Sequence, residues 1–355
     1  MKLILSNLFF VFLLINPNFL FAEDGSGLKI SASGDLVGQA GLHQGSGASD
    51  RLDVREAEFM LYAPADHIFD AALSFGAHYE GGVANLELHE AYLGSSKLVP
   101  RSRFRLGQFF LGVGRLNQFH RHDWPFITAP KVQAEMFDAH GILDTGAEYS
   151  FLFPTPFFLE LTAGMTNGFT YGHDHTSGAR PLMPTHYARL ATYTGLPLDG
   201  GTQIGLNYVG RRGGEGTQRT LLGVDITAKW KDASVLQFLL QSEIWYRELT
   251  PAGEITQKAL GLYVYPQYYL GANFFLGARL DYFSNIVLPD ALGGTSKNFN
   301  IGLVPTLSYK ASEFSTLRLA YNHEYTYLVD RFTGSQRMVE FQAIFILGAH
   351  PAHDF

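Results

Sequence analysis

The side chains best suited to chemistry in this sequence are histidines, which occur in short groups. Of the 13 histidines, one group lies in His120-Arg121-His122-Asp123, another in His173-Asp174-His175, and a third near the C-terminus. Imidazole and carboxylate groups bind Zn²⁺, and a zinc site takes about four of them. Solvated loop histidines show the same spacing. The candidate metal ligands are His120, His122, Asp123, His140, His173, His175, His350 and His353.

A second candidate is a row of alternating arginines, Arg101, Arg103 and Arg105. In a β-strand these side chains share one face, because successive residues point to opposite sides. An arginine facing lipid costs about 2–4 kcal/mol, so in a membrane strand this face is expected to point into water. Two interpretations stay open. The row guides anions along a pore, or it pairs with carboxylates on neighbouring strands, such as Glu87 or Glu148.

The elements that position these residues are predicted by a period of two in hydrophobicity, held over segments of about ten residues. One example places Phe274, Leu276 and Leu280 on one face, with Arg279 and Asp281 on the other. Strands of soluble proteins average about 5–6 residues, whereas a tilted strand needs about 9–11 to cross a bilayer. The segments therefore favour membrane strands over a soluble sandwich or propeller, which is the alternative.

About sixteen such segments are recognised, and short turns alternate with longer polar loops between them. An even number of strands places both termini on the short-turn side, in the periplasm. The sequence thus predicts an all-β protein, a transmembrane antiparallel β-barrel. The segments are 28–42, 52–63, 67–79, 85–94, 101–112, 145–153, 157–166, 185–195, 202–211, 218–230, 234–247, 256–266, 271–283, 298–309, 313–326 and 337–347.

The composition agrees with a barrel. The chain has 14% aromatic residues, 38 Gly and no Cys, so disulfides and thiolate metal sites are excluded. Aromatic residues such as Tyr62, Trp230 and Trp245 lie near segment ends, as expected for girdles at the membrane interfaces. The net charge is −7, and no basic stripe occurs, which argues against a nucleic-acid partner.

The two ends of the chain carry targeting features. A lysine, a short apolar run and a small residue at Ala22 are typical of a secretory signal peptide, residues 1–22. After Ala22 no stretch of 18 consecutive apolar residues occurs, so no second membrane helix is expected. The barrel is expected over 23–347, followed by a periplasmic tail, 348–355, that ends in an aromatic residue, Phe355.

A family resemblance is carried by the stretch Phe104-Arg-Leu-Gly-Gln-Phe-Phe-Leu-Gly-Val-Gly-Arg-Leu116. It resembles the central strand-to-loop region of the phosphate-selective porin O and P family. That resemblance implies a sixteen-stranded trimeric porin. The ending Leu347-Gly-Ala-His-Pro-Ala-His-Asp-Phe355 is similar to that of zinc-regulated outer-membrane proteins.

The longest connection, from about Val113 to Asp144, is the third external one. In sixteen-stranded diffusion porins the third external loop typically folds into the lumen, and a loop this long is usually functional. We therefore expect it to narrow the pore. The predicted pore-lining residues are Arg101, Arg103, Arg105, Arg115, Arg121, Lys131, Glu135 and Asp138.

These patterns predict a porin in the outer membrane of a Gram-negative bacterium, a passive water-filled channel for small ions and solutes. Its expected partners are outer-membrane lipid and two further copies of itself. No Gly-x-Ser-x-Gly motif occurs, and we expect no enzyme activity and no cofactor beyond contact with Zn²⁺. Two alternatives stay open: a zinc-related uptake channel with histidine-rich loops, and a closed barrel acting as an adhesin.

Overall fold

The computed structural model describes residues 27–42, 50–80, 83–137, 141–168, 183–212, 216–233, 235–289, 295–328 and 331–349. They form a closed antiparallel barrel in which each strand pairs with its neighbours in the chain and the last pairs with the first. The predicted signal peptide and the final residues, including Phe355, lie outside the described residues. In the described part of the chain, no helix is long and apolar enough to cross a membrane.

The barrel has 16 strands, as the alternation predicted. Numbered in chain order, they are β1 (Lys29–Gly41), β2 (Arg51–Pro64), β3 (Asp70–Glu80), β4 (Val83–Ser95), β5 (Ser102–Phe110), β6 (Leu143–Leu152), β7 (Phe158–Thr166), β8 (Met183–Leu196), β9 (Gly200–Arg212), β10 (Gln218–Asp232), β11 (Val235–Thr250), β12 (Gln257–Gly271), β13 (Phe274–Pro289), β14 (Thr295–Ser312), β15 (Ser315–Leu328) and β16 (Arg331–Gly348).

Most strand ends agree with the predicted segments within a few residues, but some hairpins extend further at the long-loop end. Strand β13 continues to Pro289, where Leu288 pairs with Ser296 of β14, and Leu328 of β15 pairs with Arg331 of β16. The stretches 284–297 and 327–336, which lie between predicted segments, are therefore largely strand. Beyond the bilayer a hairpin keeps its backbone pairing without the apolar alternation that marks a membrane strand.

The outer face of the barrel is apolar. Leu86, Leu106 and Leu276 point outward and keep about half or more of their surface exposed, at 75%, 53% and 49%. Arg279 and Asp281, on the opposite face of β13, are buried inside the barrel and bonded to each other. Large exposed apolar surface outside and buried charge inside are typical of a barrel that meets lipid.

Two girdle assignments are wrong. Trp245 is buried inside the lumen, and its Nε1 donates to Glu243 Oε2 at 2.9 Å, two residues away on the same face of β11. Tyr62 likewise lines an internal cavity. Position near a strand end does not decide which face an aromatic residue occupies, because strand parity decides it. Trp230 remains partly exposed at the short-turn end, where its Nε1 donates to the Pro197 carbonyl.

The connection between β5 and β6 folds into the barrel. It contains two short 3₁₀ turns, Leu116–Gln118 and Arg121–Asp123, and one helix, α1 (Lys131–Phe137). Its aromatic residues pack on aromatic residues of the inner wall. The Phe137 ring lies 4.5 Å from Trp245, and the Phe126 ring lies 5.7 Å from Tyr263. The buried core is therefore inside the lumen, between the connection and the wall of β8–β13.

Candidate functional site: the constricted lumen

One stretch of the connection is fixed to the wall by its backbone. The N–H groups of Gly112, Gly114 and Leu116 donate to side chains of β6, β9 and β11 in turn. The acceptors are Glu148 Oε2 at 3.1 Å, Asn207 Oδ1 at 2.8 Å and Glu243 Oε1 at 2.8 Å. We call residues 111–116 the anchored segment. The Val113 N–H lies between the first two of these groups and donates instead to the Leu111 carbonyl at 2.8 Å.

Glycine is required in the anchored segment. Gly114 has a φ of +62°, and a Cβ built on it would lie 2.5 Å from Glu243 Oε2. A larger residue would clash with the carboxylate and adopt a strained backbone. This explains in physical terms the Gly-x-Gly part of the stretch that carries the family resemblance.

Further along, the wall donates to the connection. Arg55 of β2 donates to the Ile127 carbonyl, Arg279 of β13 to the Thr128 carbonyl, and Arg247 of β11 to the Glu135 carbonyl. Arg279 is buried and Arg55 is half-buried, so these two side chains satisfy backbone oxygens that are largely shielded from bulk water. The connection is bonded around much of the barrel circumference, and it constricts the lumen.

Beside the connection lies a cavity of about 670 Å³. Both signs of charge line it. The basic side chains are Arg103, Arg105, Arg115 and Arg189, and the acidic ones are Glu58, Glu90, Asp123 and Glu160. The lining of the cavity is therefore mixed in charge.

The three arginines of the row lie in three different environments. Arg101 lies in the turn before β5, with a φ of +61°, so the strand begins one residue later than predicted and Arg101 is outside the row. Arg103 is exposed to the cavity, and among the described residues it makes no salt bridge. Arg105 lies 2.7 Å from Glu148. Of the two interpretations, carboxylate pairing therefore holds for Arg105.

The pore-lining residues predicted on the connection are also spread out. Arg115 lies over the Phe119 ring beside the cavity, whereas Arg121 is not among its lining residues. Burial lowers the pKa of both guanidinium groups, to about 10 for Arg115 and about 9 for Arg121. Lys131 forms salt bridges with Glu135 and with Glu324 of β15. Asp138 lies outside the described residues.

A β-bulge in β4 brings two consecutive side chains into the lumen. Ser74 of β3 pairs with Glu90 and Phe75 pairs with Leu88, which leaves His89 as the extra residue. A bulge turns the extra side chain toward the face of its neighbour. His89 and Glu90 therefore both point inward, and His89 is buried.

A second bulge lies at a similar height in β2. Asp35 of β1 pairs with Glu56 and Leu36 pairs with Val54, so that Arg55 is the extra residue. Arg55 forms a salt bridge with Asp35. The carboxylate of Glu56 is thereby left to face the histidines of β3 and β4.

These wall residues meet the histidines of the connection. His120 Nδ1 lies 2.9 Å from Glu58 Oε1, and His120 Nε2 lies 3.2 Å from Glu90 Oε2. His122 Nδ1 lies 3.4 Å from Glu58 Oε2. Glu58 thus contacts both histidines of the His120-Arg121-His122 group, one through each oxygen.

His89 completes the group. Its Nδ1 lies 3.3 Å from Glu58 Oε1 and 3.6 Å from Glu56 Oε1, and its Nε2 lies 2.9 Å from His78 Nε2. One donor atom each from Glu58, His89 and His120 falls within 4.8 Å of the other two, and the same holds for Glu56, His78 and His89. We call Glu56, Glu58, His78, His89, Glu90, His120 and His122 the histidine–carboxylate cluster.

The electrostatics of the cluster follow from burial and charge. Burial lowers the pKa of His120, but the nearby carboxylates of Glu58 and Glu90 outweigh it, and the net result is a pKa well above the ordinary histidine value. The carboxylates of the cluster therefore favour a positive charge at the position of the His120 ring. His120 and His122 were predicted as metal ligands, and the structure brings them together with wall residues.

The structure also adds cluster residues that the sequence interpretation missed: Glu56, Glu58, His78, His89 and Glu90. A signal for the two bulges exists in the sequence. The spacing of outward apolar residues lengthens from two to three between Val54 and Ala57, and again between Leu88 and Ala91. Asp123, also predicted as a ligand, lies beside the cluster, where its Oδ2 is 3.6 Å from His122 Nε2. The remaining predicted metal ligands lie outside the described residues: His140, His173, His175, His350 and His353.

The chain has the fold of outer-membrane porins: a closed 16-stranded barrel with an apolar outer face and a connection that narrows the lumen. No family model matches the chain. A protein of Aquifex aeolicus, described only as uncharacterized, is 25% identical in an alignment that covers 88% of this chain and 74% of that protein.

The solved structures that this chain resembles are outer-membrane porins and channels. An anion-selective porin from Comamonas acidovorans has a TM-score of 0.60 and 12% identity, covering 90% of this chain and 99% of that chain. The outer-membrane channel DcaP of Acinetobacter baumannii has a TM-score of 0.57 and 12% identity, with coverages of 92% and 99%. OmpT of Vibrio cholerae, with loop L8 deleted, has a TM-score of 0.61 and 10% identity, with coverages of 90% and 98%.

Proposed function

We propose that this protein is an outer-membrane porin through which small ions and solutes diffuse passively, with the connection between β5 and β6 as its constriction. One observation carries the proposal: a cavity of about 670 Å³, lined by charged side chains, lies inside a closed barrel with an apolar outer face. Charged side chains are unfavourable in a barrel interior that excludes water, whereas a water-filled channel is lined by them.

The charges of the lumen favour weak rather than strong ion selectivity. Two of the cavity arginines are paired, Arg105 with Glu148 and Arg189 with Asp225. Paired arginines contribute little net field, so the dense basic ladder that phosphate selectivity would need is not supported. Arg103 is exposed to the cavity and makes no salt bridge among the described residues, and we propose that it adjusts the ion preference.

We further propose a homotrimer, supported by a Vibrio cholerae OmpT structure that is described as a trimer form and has the same fold. An enzyme is not supported, because the named neighbours with a stated activity are porins and a channel. Cleavage of the signal peptide and regulation by zinc stay predictions from the sequence. A zinc-related channel stays as the second candidate because of the histidine–carboxylate cluster.

The test is planar-bilayer recording of the refolded chain in salt gradients. Stepwise conductance supports a porin, and its reversal potential gives the ion preference. A refolded barrel that inserts into the bilayer without conductance steps would overturn the channel proposal and favour a closed barrel that acts as an adhesin.

A further inference from the structure

We propose that Glu58, His89 and His120 form a binding site for one divalent transition-metal ion of the Zn²⁺ class, and that the bound ion ties the connection to the barrel wall. The proposal goes beyond the channel function and does not depend on it, because metal binding is measured without ion flow. Two of the ligands belong to the wall, on β2 and β4, and the third belongs to the connection.

The donor set fits this class of ion. Two imidazoles and one carboxylate are the ligands of known zinc sites that keep an open position, whereas Ca²⁺ and Mg²⁺ prefer oxygen ligands in larger number. Donor atoms of a tetrahedral site with bond lengths of about 2.0–2.2 Å are about 3.3–3.6 Å apart. The His89 Nδ1 to Glu58 Oε1 distance is 3.3 Å, and the His120 Nδ1 to Glu58 Oε1 distance is 2.9 Å. The donor atoms of His89 and His120 lie within 4.8 Å of each other, so the two rings have to move closer together when they bind one ion.

The surrounding groups hold the ligands in the orientation that a metal needs. His120 presents Nδ1 to Glu58 while its Nε2 faces Glu90 at 3.2 Å, an arrangement in which a carboxylate orients a metal-binding imidazole. His89 presents Nδ1 to Glu58 while its Nε2 faces His78 at 2.9 Å. In both rings one nitrogen is fixed by a neighbour and the other points toward Glu58.

The wall is shaped to hold His89 at this position. A Cβ built on Gly76 of β3 would lie 2.3 Å from His89 Cε1, so the ring occupies space that only glycine leaves open. The β4 bulge supplies the ring, and Gly76 supplies the space. Two separate features of the barrel thus serve the placement of one buried imidazole.

The site is accessible and takes one ion. Glu58 and His120 line the cavity, which provides an entry path and an open coordination position. A second triad, Glu56, His78 and His89, shares His89 with the first. A neutral imidazole offers one lone pair, so the two triads cannot both be complete at the same time. The expected stoichiometry is one tightly bound ion per chain.

The first experiment is calorimetric titration of the refolded full-length chain with Zn²⁺, beside His89→Gln and the control His186→Gln. His186 lies on β8, where its Nε2 contacts Tyr208, outside the cluster. Loss of groups that merely orient a ligand costs about 10–100-fold in affinity. We therefore expect His89→Gln to weaken the tight site by about 100-fold or more, and His186→Gln to leave it unchanged. Unchanged affinity in His89→Gln, or binding displaced equally by Ca²⁺, would overturn the assignment.

A second experiment needs no variant. If the ion joins His120 to the wall, Zn²⁺ slows hydrogen exchange of the backbone amides of residues 120–123 in the wild-type chain, and Mg²⁺ does not. Tight zinc binding without this protection would refute the bridge between connection and wall. The far-ultraviolet circular dichroism of metal-free His89→Gln, compared with that of the wild-type chain, serves as the check that the variant is folded.

Discussion

The carboxylate of Glu243 is the acceptor on which the anchored segment depends most, and Glu243→Gln is the sharpest test of that role. Its Oε1 accepts from the Leu116 N–H at 2.8 Å and from the Tyr263 hydroxyl at 3.2 Å, while its Oε2 accepts from Trp245 Nε1 at 2.9 Å. A glutamine of the same size has one oxygen and one NH₂ group. At least one of the three buried donors then faces another donor.

The size of the effect follows from these contacts. A hydrogen bond to a charged group contributes about 1.5–3 kcal/mol, and its loss leaves a buried donor unsatisfied. The docked position of the anchored segment should therefore weaken by this amount, which corresponds to about a tenfold to hundredfold shift toward undocked states. We expect frequent fluctuations of single-channel current and faster hydrogen exchange at Gly114 and Leu116.

The control for this experiment is Glu160→Gln. Glu160 lies on β7 and lines the same cavity, but among the described residues it makes no hydrogen bond to the connection. The same change of charge is thus made without loss of an anchor. If current noise and amide exchange in Glu243→Gln match those of Glu160→Gln, the anchoring argument is wrong.

Three further predictions concern other parts of the lumen. Arg103→Glu changes the cavity charge by two units at a position that makes no salt bridge within the described part of the chain, so the reversal potential should move toward cation preference; an unchanged value would show that Arg103 does not line the ion path. Gly76→Ala should displace the His89 ring and weaken zinc affinity at least tenfold with metal-free conductance unchanged, and wild-type affinity would refute the packing argument. Deletion of residues 117–140 should raise conductance and lower the free energy of unfolding by several kcal/mol, because truncation of one buried aromatic residue already costs about 3–5 kcal/mol; equal conductance would mean that this segment does not restrict the pore.

The barrel itself was predictable because membrane strands must show one apolar and one polar face. Leu276 and Arg279 were assigned to opposite faces of β13 from alternation alone, and the structure confirms both. The strands that extend above the bilayer were missed, since no lipid enforces alternation there. Trp245 shows a second reason for wrong assignments. An aromatic residue on the inner face can lie at the same distance from the turn as one in a girdle, so its position along the strand does not distinguish the two.

Only part of the histidine–carboxylate cluster could be predicted from the sequence, because its other residues lie on wall strands that contain bulges. His120 and His122 are two residues apart, so their spacing indicates a candidate metal site. Glu58 and His89 are distant from them in sequence and show no such pattern. The bulges in β2 and β4 determine which wall side chains face these histidines. Each bulge adds one residue, so every later residue in the strand moves to the opposite face from the one that simple alternation predicts. Pairing of the connection with β2 and β4 depends on how the connection crosses the lumen, which local spacing does not encode.

The two sides of the connection are held by different chemistry, and this difference has consequences for how the constriction responds to metal. At the anchored segment, backbone N–H groups donate to Glu148, Asn207 and Glu243, and these bonds need no ion. At the cluster, His120 meets Glu58 through nitrogen and oxygen atoms that either share a proton or bind a metal. Zinc should therefore protect amides near His120 while exchange at Gly112 and Gly114 stays the same. Equal protection along the whole connection would instead mean that the connection moves as one unit and that the anchored segment is not an independent attachment.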